Sequence, residues 1–219
     1  MLQKIFLMLY WAHKYIFLLI MSKINVYILR HGQTDLNLAQ KWQGSGSDVL
    51  LNETGKKQAE ALGEKIKDKG IRKFYCSPLL RAVQTANIVA SKGIFSAPIV
   101  ILQDLKECNL GDFEGETFEY IREKYGDVVE NLLWPTKENW GEKYPNGESK
   151  EDVYVRVMNA LLNIVIENEF LNESVGVVCH AGVINAIACG LELSDVCYDN
   201  CSVLHLIYDF DKHQFIHVK

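Results

Sequence analysis

Two short, unbroken apolar runs set the strongest limit on how this chain folds. Val26-Tyr27-Ile28-Leu29 runs straight into Arg30-His31-Gly32, and Val175–Cys179 (VGVVC) runs straight into His180-Ala181-Gly182. A strand without polar alternation is buried on both faces, so it needs a sheet with layers above and below it. Helical signals separate the strands. Asn52 and Thr54 offer caps for a helix reaching Lys69, with Ala59, Leu62 and Ile66 on one face and Gly70 closing it. Ile71–Cys76 reads as a second strand, and Ser77-Pro78 as the start of a helix over Leu79–Ser91, with serine as cap and proline at the first position. Ile99–Leu102 is a third strand. Ser149-Lys150-Glu151-Asp152 resembles a capping box that opens a helix to Asn168, a small helix spans Val183–Gly190, and Val203–Tyr208 and Phe215–Val218 are closing edge strands. This alternation predicts an α/β fold, a three-layer α/β/α sandwich around a mostly parallel sheet. Gln33–Asp48 is expected to be a polar loop, and residues 116–147, rich in aromatics and broken by prolines, an insertion with one or two short helices.

Length and charge narrow the functions open to this architecture. With 219 residues and 48% hydrophobic content, the chain suffices for one large domain with an insertion. A net charge of −5 argues against nucleic acid as a partner, so an anionic ligand has to be captured by a few placed cations. The six cysteines form no C-x2-C pair and the histidines show no zinc spacing, which fits reduced thiols in a cytoplasmic protein and predicts no bound metal. Residues 1–21 are a separate apolar extension: Ile5–Met21 is interrupted by His13 and Lys14, and neither clean run reaches the roughly 20 residues that cross a bilayer. Only Ser22 and Lys23 would join a membrane helix to the first strand, a reach of about 7 Å. Translation from Met21, with residues 1–20 an upstream over-extension or a disordered tail, is therefore the expectation, a membrane anchor being the alternative. The folded domain then covers residues 22–219.

In sheets of this kind, ligands bind beyond the carboxyl ends of the strands. Arg30 and His31 follow the first strand, Arg81 lies just after the second, and His180 follows the fourth. Two guanidinium groups and two imidazoles in one crevice suit phosphate, whose oxygens accept bidentate hydrogen bonds from arginine. The Ser77-Pro78 helix start would add free N–H groups and the positive end of a dipole. The chain has no P-loop and no carboxylate cluster suited to magnesium. Phosphoryl transfer without metal needs a covalent nucleophile, which a neutral imidazole can be, and a proton donor for the leaving oxygen, for which Glu107 and Asp104 are the candidates.

At these residues the chain resembles the histidine phosphatase superfamily, the phosphoglycerate-mutase-like fold. Leu29–Asn37 (LRHGQTDLN) matches its opening motif, Ser77–Ala86 (SPLLRAVQTA) its second-arginine segment, Leu105-Lys106-Glu107 with Gly111–Gly115 its acid-bearing loop, and Val178–Gly182 (VCHAG) its second histidine motif. The four motifs follow in order over about Ile24–Tyr208. The resemblance implies that His31 is a phosphohistidine nucleophile and that Glu107 donates a proton and later activates water. It implies that Arg30, Arg81 and His180 form the phosphate pocket, with Asn37 as a further oxygen ligand. Gln43, Gly44, Ala181 and Gly182 become secondary substrate contacts, together with Gly32 and Thr34. A loop hydrogen bond, a cap or a turn explains Gln43, Asp104 and Thr34 equally well.

Within that resemblance the chain looks closest to the broad-specificity and alpha-ribazole-phosphate phosphatases. The mutases carry an acid loop richer in arginine and tyrosine and a longer insertion, whereas Glu107 here is followed by Cys108-Asn109-Leu110. Pro145–Ser149 (PNGES) also resembles a segment of the small phosphatases. The expectation is a cofactor-independent phosphomonoester hydrolase acting on a small phosphorylated metabolite. The alternatives are a phosphoglycerate-mutase-type transferase and a non-catalytic phospholigand-binding protein. Lys137 and Lys143 are candidates for a second anionic group, or solvated surface charges. The physiological substrate and the oligomeric state are not legible.

Overall fold

Strand β1 (Lys23–Arg30) lies inside a six-stranded sheet, and its side chains alternate between two separate cores. Val26 and Ile28 enter one core, Tyr27 and Leu29 the other. Burial of each of these large apolar groups contributes about 1.5–3 kcal/mol, which explains why the run tolerates no polar residue. The computed structural model describes residues 23–93, 97–169 and 174–219, so the expected extension at residues 1–21 and the membrane alternative lie outside the described residues.

The chain then builds α1 (Asp35–Leu38), α2 (Glu53–Ile66), β2 (Ile71–Cys76), α3 (Leu80–Ala90) and β3 (Ile99–Ile101). It continues through two 3₁₀ turns, Gln103–Leu105 and Gly111–Phe113, to α4 (Phe118–Tyr125), α5 (Val128–Leu133) and α6 (Lys150–Glu167). It closes with β4 (Ser174–Cys179), α7 (Ala181–Gly190), β5 (Val203–Asp209) and β6 (Gln214–His217). The sheet order is β3-β2-β4-β1-β5-β6. The pairs β1–β4, β2–β4 and β2–β3 are parallel, while β5 runs antiparallel to β1 and β6 antiparallel to β5. Helices α2 and α3 cover one face through Ala59, Leu62, Ala82 and Ala86. Helices α6 and α7 cover the other through Val157, Leu161, Ile184 and Ile187. This is the three-layer α/β/α sandwich that the apolar runs predicted.

Several boundaries differ from the sequence reading, each for a local reason. Residues 33–48 are not loop throughout: Thr34 and Asn37 form a reciprocal capping box that nucleates α1. Helix α3 does not start at Ser77-Pro78. It starts at Leu80, after Leu79 in extended conformation, and Asp48 accepts the Leu80 N–H at 2.7 Å. Asn52 caps α2 through the Gly55 N–H at 2.8 Å, but regular helix ends at Ile66, before a turn that reaches Gly70 at φ +68°. Residues 116–147 hold two helices, α4 and α5. The Ser149–Asp152 capping box is present and opens α6.

Register brings the strand ends together. Arg30 is level with Cys179 across β1–β4, and Cys76 with Val178 across β2–β4. The hydrogen bonds continue one step past the strands, from the His31 N–H to the Cys179 carbonyl and from the Ser77 N–H to the Val178 carbonyl, both at 3.0 Å.

Candidate active site

The register places His31 and His180 side by side, with ring centroids 5.2 Å apart. His31 is 3% exposed and borders a crevice of about 430 Å³, whose lining includes Arg30, Asn37, Gln43, Glu107, Ala181 and Gly182. His31 Nδ1 lies 2.7 Å from the Gly32 carbonyl oxygen. A carbonyl only accepts, so Nδ1 carries the proton and Nε2 keeps its lone pair. Burial first, then the positive charges of Arg81 and Arg30, hold the imidazole well below its usual pKa, and it stays neutral at physiological pH. Gly32 serves this geometry rather than lining the crevice: its N–H donates to Thr85 Oγ1 at 3.1 Å, and a Cβ here would strike the Gly55 backbone.

Arg81 and His180 are fully buried beside His31. The Arg81 guanidinium donates to the carbonyl oxygens of Gly44 (3.1 Å) and Ser47, which makes Gly44 part of the arginine's mount and keeps it off the crevice surface. Glu114 braces that loop by accepting the Gly46 N–H at 3.0 Å and the Ser47 hydroxyl at 3.3 Å. His180 Nε2 is 2.7 Å from Ser77 Oγ, which also accepts the Leu79 N–H at 3.3 Å. When the Ser77 hydroxyl donates to Nε2, His180 Nδ1 carries the ring proton and is a donor. Burial and the Arg81 charge keep His180, too, well below its usual pKa. Ser77 therefore pairs with an imidazole instead of capping a helix, and at the observed helix start Asp48 accepts the Leu80 N–H, so that N–H is not free for an anion.

Thr34 does not face the crevice either. It is a buried cap whose hydroxyl lies 2.9 Å from Gln43 Oε1, which turns the Gln43 amide N–H₂ away from it. Asn37 Oδ1 lies 3.3 Å from Asn200 Nδ2, and the same Asn200 amide reaches the His31 carbonyl at 3.1 Å. Among the described residues, six buried side-chain polar atoms lack a hydrogen-bond partner; four of them are Arg30 Nε, Arg81 Nε, Gln43 Nε2 and His180 Nδ1. A buried donor without an acceptor is costly, so their gathering around His31 marks a place built for a multivalent acceptor.

Of the two candidate acids, Glu107 borders the crevice and Asp104 is exposed outside it. Glu107 Oε1 accepts the Cys108 N–H at 2.8 Å and Oε2 the Gly182 N–H at 3.0 Å. Sequence reading missed the clamp behind it. Arg156 pairs with Glu148 through Nε at 2.9 Å and Nη2 at 3.1 Å, and donates to the carbonyl oxygens of Asp104, Lys106 and Glu107 at 2.6–3.2 Å. The only hint in the sequence was Glu148 in the PNGES segment, eight residues ahead of Arg156. Lys150, also missed, lines the crevice at 5% exposure. Lys143 instead pairs with Asp152 at 2.9 Å, and the Lys137 ammonium sits 4.0 Å from the centre of the Trp140 ring. The Cys76, Cys108 and Cys179 thiols are buried, and burial pushes the first two up to about 12. Among the described residues, no group of three or more His, Cys, Asp and Glu side chains could hold a metal ion, and no helix is long and apolar enough to cross a membrane.

Paired imidazoles, paired guanidiniums and one carboxyl thus meet at the strand ends of an α/β sandwich. The chain belongs to the histidine phosphatase superfamily (branch 1), whose family model matches residues 26–219. It is 36% identical over 162 residues, 74% of each chain, to the uncharacterized phosphatase PhoE of Bacillus subtilis. Its fold is similar to that of a phosphoglycerate mutase from Bacillus anthracis, with a TM-score of 0.80, 26% identity and 90% and 92% of the two chains covered. It is also similar to a mycobacterial glucosyl-3-phosphoglycerate phosphatase, with a TM-score of 0.74, 26% identity and 89% and 97% covered.

Proposed function

We propose that this protein hydrolyses small phosphate monoesters through a phosphohistidine formed on His31. The observation that carries the reading is the pairing of His31 Nδ1 with the Gly32 carbonyl, which leaves Nε2 as a neutral nucleophile amid partnerless buried donors. In the first step Nε2 attacks phosphorus and the ester P–O bond breaks, its electron pair going to the leaving oxygen. That oxygen takes a proton from Glu107, while Arg30, Arg81 and His180 hold the equatorial oxygens as charge redistributes. In the second step Glu107 accepts a proton from water, the water oxygen attacks phosphorus, and the P–N bond breaks to restore His31. Asn37 and Gln43 supply further contacts to the phosphoryl oxygens.

Two features favour water over a second alcohol as the final acceptor. The acid is followed by Cys108-Asn109-Leu110 rather than by further basic residues, and the insertion is short. Among the similar proteins named above are both phosphatases and a mutase, so the distinction is one for experiment. Phosphate release from p-nitrophenyl phosphate and 3-phosphoglycerate should exceed interconversion of 3- and 2-phosphoglycerate. Interconversion outrunning release would assign the protein to the mutases.

A further inference from the structure

Lys150 is the first residue of α6, where side chains lean back toward the helix start, and here that direction leads into the crevice. An almost fully buried lysine normally faces a carboxylate. Among the described residues, Lys150 forms no ion pair; its ammonium sits over the Tyr144 ring, whose centroid is 5.6 Å from Nζ. The Tyr144 hydroxyl donates to the Leu132 carbonyl at 2.8 Å, and its oxygen accepts from the ammonium as a neutral partner. Burial works against the ammonium, while the Tyr144 hydroxyl and the Glu107 carboxyl beside it favour the charged form, and Lys150 stays protonated. Burial keeps the Tyr144 and Cys108 protons on, so neither supplies a full counter-charge. Lys150 thus brings a further buried positive charge to the crevice near Glu107.

We propose that Lys150 forms a second anion subsite, selecting phosphomonoesters whose leaving alcohol carries a carboxylate or a second phosphoryl group. This rests on the reading that Glu107 protonates the leaving oxygen. An ester oxygen at Glu107 puts the first few atoms of the leaving group against Lys150. A neutral alcohol there leaves the ammonium without a counter-ion, whereas an anionic substituent supplies it.

The test compares substrate pairs that differ only in that group: 3-phosphoglycerate with glycerol 1-phosphate, and fructose 1,6-bisphosphate with fructose 6-phosphate. The readout is the ratio of kcat/KM within each pair, for wild type, Lys150→Met and Lys150→Arg. The wild type should prefer the anionic member, and Lys150→Met should lower the ratio about 10- to 100-fold, the scale of one hydrogen bond between charged groups. Lys150→Arg should keep most of the preference. A fall confined to the first pair identifies a carboxylate site, and one confined to the second a phosphate site. A ratio unchanged by Lys150→Met in both pairs overturns the proposal. If no monoester is turned over, the hydrolase reading fails instead. Calorimetric binding of 3-phosphoglycerate and glycerol 1-phosphate then reads the subsite alone, and equal loss on both ligands in Lys150→Met overturns it. Lys150→Gln stands in should the methionine variant not fold.

Discussion

Gly182 is where a single methyl group separates structure from chemistry. It is the second residue of α7, and its N–H holds Glu107 Oε2 at 3.0 Å. A Cβ on Gly182 would lie 3.1 Å from Glu107 Cδ and closer still to Oε1. Comfortable contacts between such atoms begin near ~3.5 Å, so the carboxyl must withdraw by about 1 Å. Only the end of a flexible side chain has to move, and the helix backbone stays in place. In Gly182→Ala, the helix propensity gained, about 1 kcal/mol, offsets the hydrogen bond lost, also about 1 kcal/mol. Stability should therefore stay within about 1 kcal/mol of wild type. Catalysis should not, because general acids contribute about 10²–10⁴-fold and a 1 Å displacement is enough to forfeit about 10². The assay is kcat/KM on an alkyl phosphate and on p-nitrophenyl phosphate, with urea unfolding alongside. The loss should be about 100-fold on the alkyl ester and much smaller on the aryl ester, whose leaving group needs little protonation. Equal losses on both esters, or wild-type activity on the alkyl ester, would refute the placement of Glu107 as the acid.

Removing the clamp should give the same signature from further away: Arg156→Met frees the loop carbonyls of Asp104, Lys106 and Glu107, and should reduce alkyl-phosphate turnover more than aryl-phosphate turnover while destabilising the fold by about 1–3 kcal/mol; a uniform change in both rates would reduce Arg156 to a stability role. The two buried imidazoles link stability to pH. Their pKa values are depressed in the folded state, so below about 6.5 the unfolded chain takes up protons that the native state refuses, and stability falls with pH at about 1.4 kcal/mol per unit for each histidine. Urea unfolding between pH 7 and pH 5 should show a slope smaller by about one proton in His180→Gln than in wild type, and identical slopes would contradict the neutral, buried assignment.

The parts of this molecule legible in the sequence are those set by local pattern. Val26–Leu29 and Val175–Cys179 admit only a doubly covered sheet, and the rule that ligands gather at strand ends then brings Arg30, His31 and His180 together. What escaped was decided by partners distant in sequence. Ser77-Pro78 reads as a helix start until Ser77 meets His180, 103 residues away, and Asp48 takes over the Leu80 N–H. Arg156 looks like one more polar position on α6, and only the folded chain turns it toward the acid loop about 50 residues earlier. Lys150 sits in a capping box, where a lysine reads as solvent-exposed; in the fold it is buried over the ring of Tyr144, which comes from residues 116–147, a stretch without a strong period of its own. For Thr34 the sequence leaves substrate contact and cap equally open, and the local partner Asn37, three residues on, makes it a helix cap.

All of these assignments meet at His31 Nε2, and trapping the intermediate tests that atom directly. Wild-type enzyme mixed with substrate and quenched within milliseconds should carry one phosphoryl group that is stable to base and labile to acid. Peptide mass spectrometry should locate it on His31, and the label should be absent from His31→Ala. Steady turnover with no trapped phosphoenzyme, or with the phosphoryl group on another residue, would contradict the account.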